Sequence, residues 1–271
     1  MNSMEILLFV LAMAATGAVS GLLAGVFGVG GGAVVVPVLY SVLGMLDVDP
    51  SVRMHVAVGS SLAIIIPTSL RSFTAHRARG AVDEAYLRAL AVPLVFGVIA
   101  ASLVASRISS GGLRAVFAGL AFAMAVKMLF NRPSWRLGDN IPGQPWRGMT
   151  GAAIGFLSTL MGIGGGVLNN TFMTLYARPI HQAVATSSGV GTLISVPGMI
   201  GYIWAGWNEP GLPVFSTGYI NWLAVAAIMP VSLLFAPMGV RIAHALNKRH
   251  LEIGFGIFMV IVAARFGWSL I

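Results

Sequence analysis

Gly28-Val29-Gly30-Gly31-Gly32 is the stretch that decides the fold, because it occurs a second time as Gly162-Ile163-Gly164-Gly165-Gly166. Both glycine clusters interrupt long apolar runs. A glycine inside a helix costs about 1 kcal/mol relative to alanine. We therefore expect a broken or re-entrant helix at each of two corresponding places in the chain.

Composition indicates an integral membrane protein. Of the 271 residues, 57% are hydrophobic and 9% are charged, whereas soluble domains carry about 25% charged residues. This length allows roughly ten helical segments with short loops. The net charge of +8 does not indicate a nucleic-acid partner, because the Lys and Arg residues are scattered and form no long basic run. The expected partners are the lipid bilayer and a small solute.

Two of the apolar segments are too short to cross a bilayer, which takes about 20 residues. They are Ala33–Leu46 and Val167–Tyr176, and each follows a glycine cluster. We interpret them as half-helices or hairpin arms. The chain then divides into a first transmembrane repeat (1–130), a cytoplasmic connector (131–147) and a second transmembrane repeat (148–271).

Further matches support the repeat. Val58-Gly-Ser-Ser61 corresponds to Ala185-Thr-Ser-Ser188, and Gly80-Ala-Val-Asp83 corresponds to Gly218-Tyr-Ile-Asn221. When the basic loops are placed in the cytoplasm, equivalent loops of the two halves fall on opposite sides and both termini are external. The predicted fold is therefore an all-α polytopic membrane protein with two inverted-topology repeats of five helical segments each. Secondary transporters use this architecture, with the substrate near mid-membrane.

The glycine clusters predict an anion site. Consecutive unshielded N–H groups at the start of a helix bind anions, and short hydroxyl and amide side chains surround them. A cation site is disfavoured because no acidic residue lies deep in a span, and we expect neither a metal nor a cofactor. The candidate substrate-binding residues are Gly30, Gly31, Gly32, Ser60, Ser61, Gly164, Gly165, Gly166, Asn169, Asn170, Thr186, Ser187 and Ser188. His55 and His181, at corresponding span starts, are candidates for a gate or a proton-linked switch.

The paired clusters, the stretch Val58-Gly-Ser-Ser-Leu-Ala-Ile-Ile-Ile-Pro-Thr-Ser69 and the stretch His76-Arg-Ala-Arg-Gly-Ala-Val82 resemble the TauE/SafE family of sulfite-exporter-like permeases. The resemblance implies export of sulfite, sulfoacetate or a related organosulfonate across a bacterial inner membrane. One departure is Leu168-Asn-Asn-Thr171, which has two asparagines where the first half has Val34-Val-Val-Pro37. We expect the anion closer to this second copy.

Other interpretations remain open at this point. Glycine and serine also mediate close helix packing in membranes. The substrate could be another small organic anion, and the protein could act as a homodimer. A remote alternative is an intramembrane serine hydrolase that uses Ser188 with His244.

Overall fold

The computed structural model describes residues 3–27, 31–130, 135–245 and 248–269, and within them the chain is almost entirely helical. The helices are α1 Ser3–Phe27, α2 Gly32–Met45, α3 Pro50–Ala78, α4 Glu84–Ala105, α5 Ser110–Leu129, α6 Trp146–Met161, α7 Gly166–Leu175, α8 Ile180–Ala205, α9 Trp222–Ala245 and α10 Lys248–Trp268. A short hairpin pairs β1 Ser216–Thr217 with β2 Ile220–Asn221. The predicted all-α polytopic architecture is confirmed.

Helix lengths separate full spans from short arms. Among the described residues, five helices are long and apolar enough to cross a membrane: α3, α4, α5, α8 and residues Trp222–Gly239 of α9. The expected short helices after the glycine clusters are present, with 14 residues in α2 and 10 in α7. At 16 residues, α6 is also short of a full span, so the second break joins two short helices.

Helix packing matches between the two halves. α1 packs against α9 and α6 packs against α4, while α3 crosses α8 and α5 packs against α10. A Cβ on Gly21 of α1 would collide with the carbonyl oxygen of Ser232 in α9, and one on Gly155 of α6 would collide with that of Leu94 in α4. Small residues permit this close approach in membrane proteins. Exchanging the halves, α1 to α5 for α6 to α10, preserves these contacts.

The starts of α4 and α9 are capped in the same way. Oδ1 of Asp83 accepts from a backbone N–H three residues on, at 3.0 Å, and Oδ1 of Asn221 does the same at 2.9 Å. The backbone N–H of Asp83 donates to Oγ1 of Thr186 at 2.9 Å, and that of Asn221 donates to Oγ of Ser60 at 2.9 Å. The cap of α4 is therefore hydrogen-bonded to α8 in the second half, and the cap of α9 is hydrogen-bonded to α3 in the first half. The direction of each half across the membrane stays a prediction.

Candidate functional site

The next-to-last glycine of each cluster is left-handed and caps a short helix. Gly31 has φ 76° before α2, and Gly165 has φ 75° before α7. Glycine adopts this conformation without the penalty that a Cβ incurs. The first N–H groups of α2 and α7 are thus presented at the breaks. Gly28, Val29 and Gly30 lie outside the described residues, so the candidate Gly30 is not placed.

The two breaks lie against each other. A Cβ on Gly32 would collide with the carbonyl oxygen of Gly162 and would lie 2.8 Å from Cα of Ile163. Ser61 of α3 donates a hydrogen bond to the same Gly162 oxygen at 2.8 Å. The structure therefore brings together the first cluster, the second cluster and one of the predicted serines.

Two buried serines face these breaks with unsatisfied hydroxyl groups. Ser20 of α1 and Ser158 of α6 are each 0% exposed, and within the described part of the chain neither Oγ has a hydrogen-bond partner. A Cβ on Gly31 would collide with the Ser20 hydroxyl, and a Cβ on Gly165 would lie 3.4 Å from that of Ser158. An unpaired buried polar group costs about 1–3 kcal/mol. Each break therefore has a buried hydroxyl beside it that is free to bond a polar ligand.

Asn169 is part of a buried side-chain network. Tyr86 of α4 donates to its Oδ1 at 2.8 Å, and its Nδ2 donates to Oγ of Ser187 in α8 at 2.9 Å. This amide therefore ties α7 to α4 and α8. Its neighbour Asn170 is half-buried, and its Oδ1 is a buried atom without a partner among the described residues. Asn170 thus has the more available amide of the two.

The remaining predicted hydroxyl groups lie on α3 (Ser60, Ser61) and α8 (Thr186, Ser187, Ser188) and are all buried. Ser60 and Thr186 accept the cap hydrogen bonds described above, and Ser187 accepts from Asn169. Because a hydroxyl both donates and accepts, each can still offer its hydrogen to a ligand.

Ser188 differs from these hydroxyls, because it donates to the carbonyl oxygen of Ala185 at 2.6 Å. The hydrolase alternative would need this hydroxyl to face a base. The side chain of its proposed partner, His244, lies outside the described residues.

The two histidines lie in unlike surroundings. His55 is 2% exposed, its Nε2 lies 3.1 Å from the carbonyl oxygen of Ile108, and its ring stacks on Tyr219 with centroids 4.7 Å apart. Desolvation, with a smaller effect of the Glu209 carboxylate, raises the pKa of Tyr219 to about 12, so this phenol is neutral at physiological pH. His181 is exposed at the start of α8. A gating role for either histidine stays a prediction.

A basic cavity is the feature that sequence reasoning missed. It has a volume of about 290 Å³ and lies between α1, α3 and α9, with Ser188 of α8 in its wall. Arg71, Arg79 and Arg241 line it, although their sequence positions indicated only interfacial or cytoplasmic residues. The available signal was helical spacing, because Thr68, Ser72 and Arg79 fall on one face of α3.

Metal chemistry has no candidate site in the described residues, which contain no group of three or more His, Cys, Asp or Glu side chains able to hold an ion. The arrangement at the breaks instead offers backbone N–H groups and hydroxyl hydrogens, which complement an oxyanion.

Comparisons with known proteins cover nearly the whole chain. The family model described as Sulfite exporter TauE/SafE matches residues 13–266. A probable membrane transporter protein of Haemophilus influenzae is 32% identical over 255 residues, which cover 94% of this chain and 97% of the relative. A probable membrane transporter protein of Methanocaldococcus jannaschii is 29% identical over 266 residues, covering 95% and 97%. No solved structure matches the chain significantly.

Proposed function

The chain belongs to the sulfite exporter TauE/SafE family of membrane transporters, and on that premise we propose that it is a secondary permease for a small sulfur-containing anion. Sulfite, sulfoacetate and related organosulfonates are the substrate class. The proposed direction is export across a bacterial inner membrane, with both termini on the outer side.

The observation that carries this proposal is the pair of unsatisfied hydroxyls at the two helix breaks. Ser20 and Ser158 place hydrogen-bond donors beside the left-handed caps of α2 and α7. The positive ends of these helix dipoles favour an anion. Acidic residues are absent from the middle of every described helix, since Glu84 lies in the first turn of α4, Glu252 lies in the second turn of α10 and Glu5 lies near the start of α1. No acidic side chain of the described helices therefore lies at the breaks.

Alternating access is the proposed mechanism. The matched packing of the halves and the reciprocal caps from Asp83 and Asn221 support two repeats related by a two-fold exchange. In inverted-repeat transporters, such halves rock around a substrate held at discontinuous helices. The breaks at Gly31 and Gly165 would hold the anion, while α3 and α8 cross beside it.

Flux into proteoliposomes tests the proposal. We expect the purified protein to carry sulfite or a sulfonate, and we expect Ser20→Ala and Ser158→Ala to raise the KM for that anion by about tenfold, the value of one hydrogen bond to a charged group. Because each variant removes an unsatisfied hydroxyl, the ligand-free protein should not lose thermal stability.

Ser41→Ala is the matched control, since Ser41 donates to Pro37 within α2 at 2.8 Å and lies away from the caps in the sequence. An unchanged KM in both test variants would show that these two hydroxyls do not bind the transported anion. If the protein carries carboxylates and no sulfur-containing anion, the proposed substrate class is wrong and carboxylates take its place.

A further inference from the structure

We propose that the basic cavity between α1, α3 and α9 is an oxyanion-binding entrance that admits the transported anion to the helix breaks. This inference rests on the permease function proposed above and adds a site that lies outside the glycine clusters. It faces the side that the basic loops predict to be cytoplasmic, which is the side from which an exporter takes its substrate.

The face of α3 that lines the cavity changes in character along its length. Thr68 and Ser69 are buried at one end, at 3% and 4% exposure, and Arg79 is exposed at the other. By helical rise, Thr68 and Arg79 are about 16 Å apart along the axis. Cationic groups therefore stand at the mouth and neutral hydroxyls at the floor.

Two arginines bring positive charge to the cavity from different helices. Arg71 of α3 donates from Nη1 to the carbonyl oxygen of Leu233 in α9 at 3.3 Å, which fixes the guanidinium at the junction of the two helices and leaves its other donors for a ligand. Arg241 supplies a second cation from α9. The C-terminal end of α3 contributes about half a negative charge at the mouth, which the full charges of these arginines outweigh.

No acidic side chain is among the described residues that line the cavity, which also include His76 and Ser72. A volume of about 290 Å³ is several times the share of one water molecule, which is about 30 Å³. A sulfite ion or a short organosulfonate therefore fits with part of its hydration shell. The ligand chemistry is that of a compact oxyanion.

The floor of the cavity reaches the second break through two contacts. Thr192 of α8 donates to Oγ of Ser69 at 3.2 Å. A Cβ on Gly191 would lie 3.1 Å from Cβ of Ser69 and 3.3 Å from the carbonyl oxygen of Gly164. Gly191 thus lies between Ser69 at the cavity floor and Gly164 of the second glycine cluster, and an anion at the floor is close to the proposed transport site.

The phosphate of an anionic lipid has the same chemistry as a soluble oxyanion, so the experiment must separate the two sources. Sulfite binding is measured on the full-length protein in lipid-free neutral detergent at low ionic strength. Phosphatidylglycerol and phosphatidylcholine are then added in parallel titrations. Thermal unfolding of each ligand-free variant verifies that it is folded.

Arg71→Gln and Arg241→Gln are the test variants, and Arg77→Gln is the control. Arg77 lies on the opposite face of α3 from Thr68 and pairs with Glu84 at 2.9 Å, so its replacement removes the same charge outside the cavity. We expect sulfite binding about 10- to 100-fold weaker in each test variant and less than about twofold weaker in the control, where the charge is solvent-screened. The KM for sulfite presented from the cytoplasmic side should rise in parallel.

Three results of the binding experiment would overturn the inference. They are equal weakening in Arg77→Gln, unchanged binding in both cavity variants, and stabilisation by phosphatidylglycerol alone with no sulfite binding. The proposed function fails separately, if wild-type proteoliposomes carry none of the tested anions. If wild-type flux is normal and the KM is unchanged in Arg71→Gln and Arg241→Gln, the proposed entrance is wrong and the proposed function stands.

Discussion

Replacement of Gly165 by alanine tests whether the second break is a close-packed, left-handed turn. Gly165 has φ +75°, and a Cβ there would collide with Cδ1 of Ile194 and lie 3.1 Å from Cγ1 of Val190. Gly80 provides a matched comparison, because it has φ +66° with no atom within 4 Å of an added Cβ. The two variants share backbone strain and differ in packing.

The expected loss of stability in each variant is the sum of backbone strain and packing. A non-glycine residue in the left-handed region costs about 1–2 kcal/mol. Extra carbon in a tightly packed core costs about 1–3 kcal/mol more. We therefore expect Gly165→Ala to lower the free energy of unfolding by about 2–5 kcal/mol and Gly80→Ala by about 1–2 kcal/mol.

Reversible unfolding in mixed micelles, followed by tryptophan fluorescence, measures both values. Anion flux should also fall in Gly165→Ala, because the turn presents the first N–H groups of α7. If the two variants agree to within about 0.5 kcal/mol, the size of an ordinary surface effect, the packing argument at this break is wrong.

Three further predictions concern the helix caps and the buried amide. Asp83→Ala and Asn221→Ala should each destabilise the protein by about 1 kcal/mol in the same micelle assay, and Asp83→Asn should be close to neutral; a destabilised Asp83→Asn would contradict the cap geometry. Tyr86→Phe should cost about 1 kcal/mol, since it removes the hydrogen bond to Asn169, and an unchanged unfolding midpoint would show that this bond contributes nothing. A backbone N–H bond lowers the pKa of Asp49, the N-cap of α3, below its ordinary value of 3.8. That cap is complete at neutral pH and is lost as the pH falls through the lowered pKa, so an NMR midpoint above 3.8 would contradict it.

The glycine clusters predicted the breaks well, because their cause is local. The helices after the clusters begin at Gly32 and Gly166, within one residue of the apolar segments defined from sequence alone. Positive φ and missing side chains are properties of glycine itself, so no tertiary information was needed. The correspondence of Asp83 with Asn221 also appears in the structure as two matching caps.

Long-range packing determines the rest, and sequence did not reveal it. The basic cavity requires α1, α3 and α9 to converge, and single arginines in a membrane protein ordinarily indicate orientation. The sequence shows that Ser20 and Ser158 are polar, but whether their hydroxyls have hydrogen-bond partners depends on how the helices pack around them. Asn169 stays a predicted site residue, and its hydrogen bonds to Tyr86 and Ser187 depend on the positions of α4 and α8, which the sequence does not show. The β1–β2 hairpin went unnoticed because its strands have two residues each.

The reciprocal caps have a consequence for biosynthesis. The N–H of Asp83 finds its acceptor 103 residues later in the chain, on Thr186, and Ser60 receives its donor from Asn221, 161 residues later. α1 likewise packs against α9, which leaves the ribosome near the end of translation. The interfaces between the two halves can therefore form only after the second half has been synthesised, whereas α2 and α5 already have α3 to pack against within the first half. Truncation after residue 130 should leave a chain that membrane quality control degrades, and separate expression of residues 148–271 should rescue it.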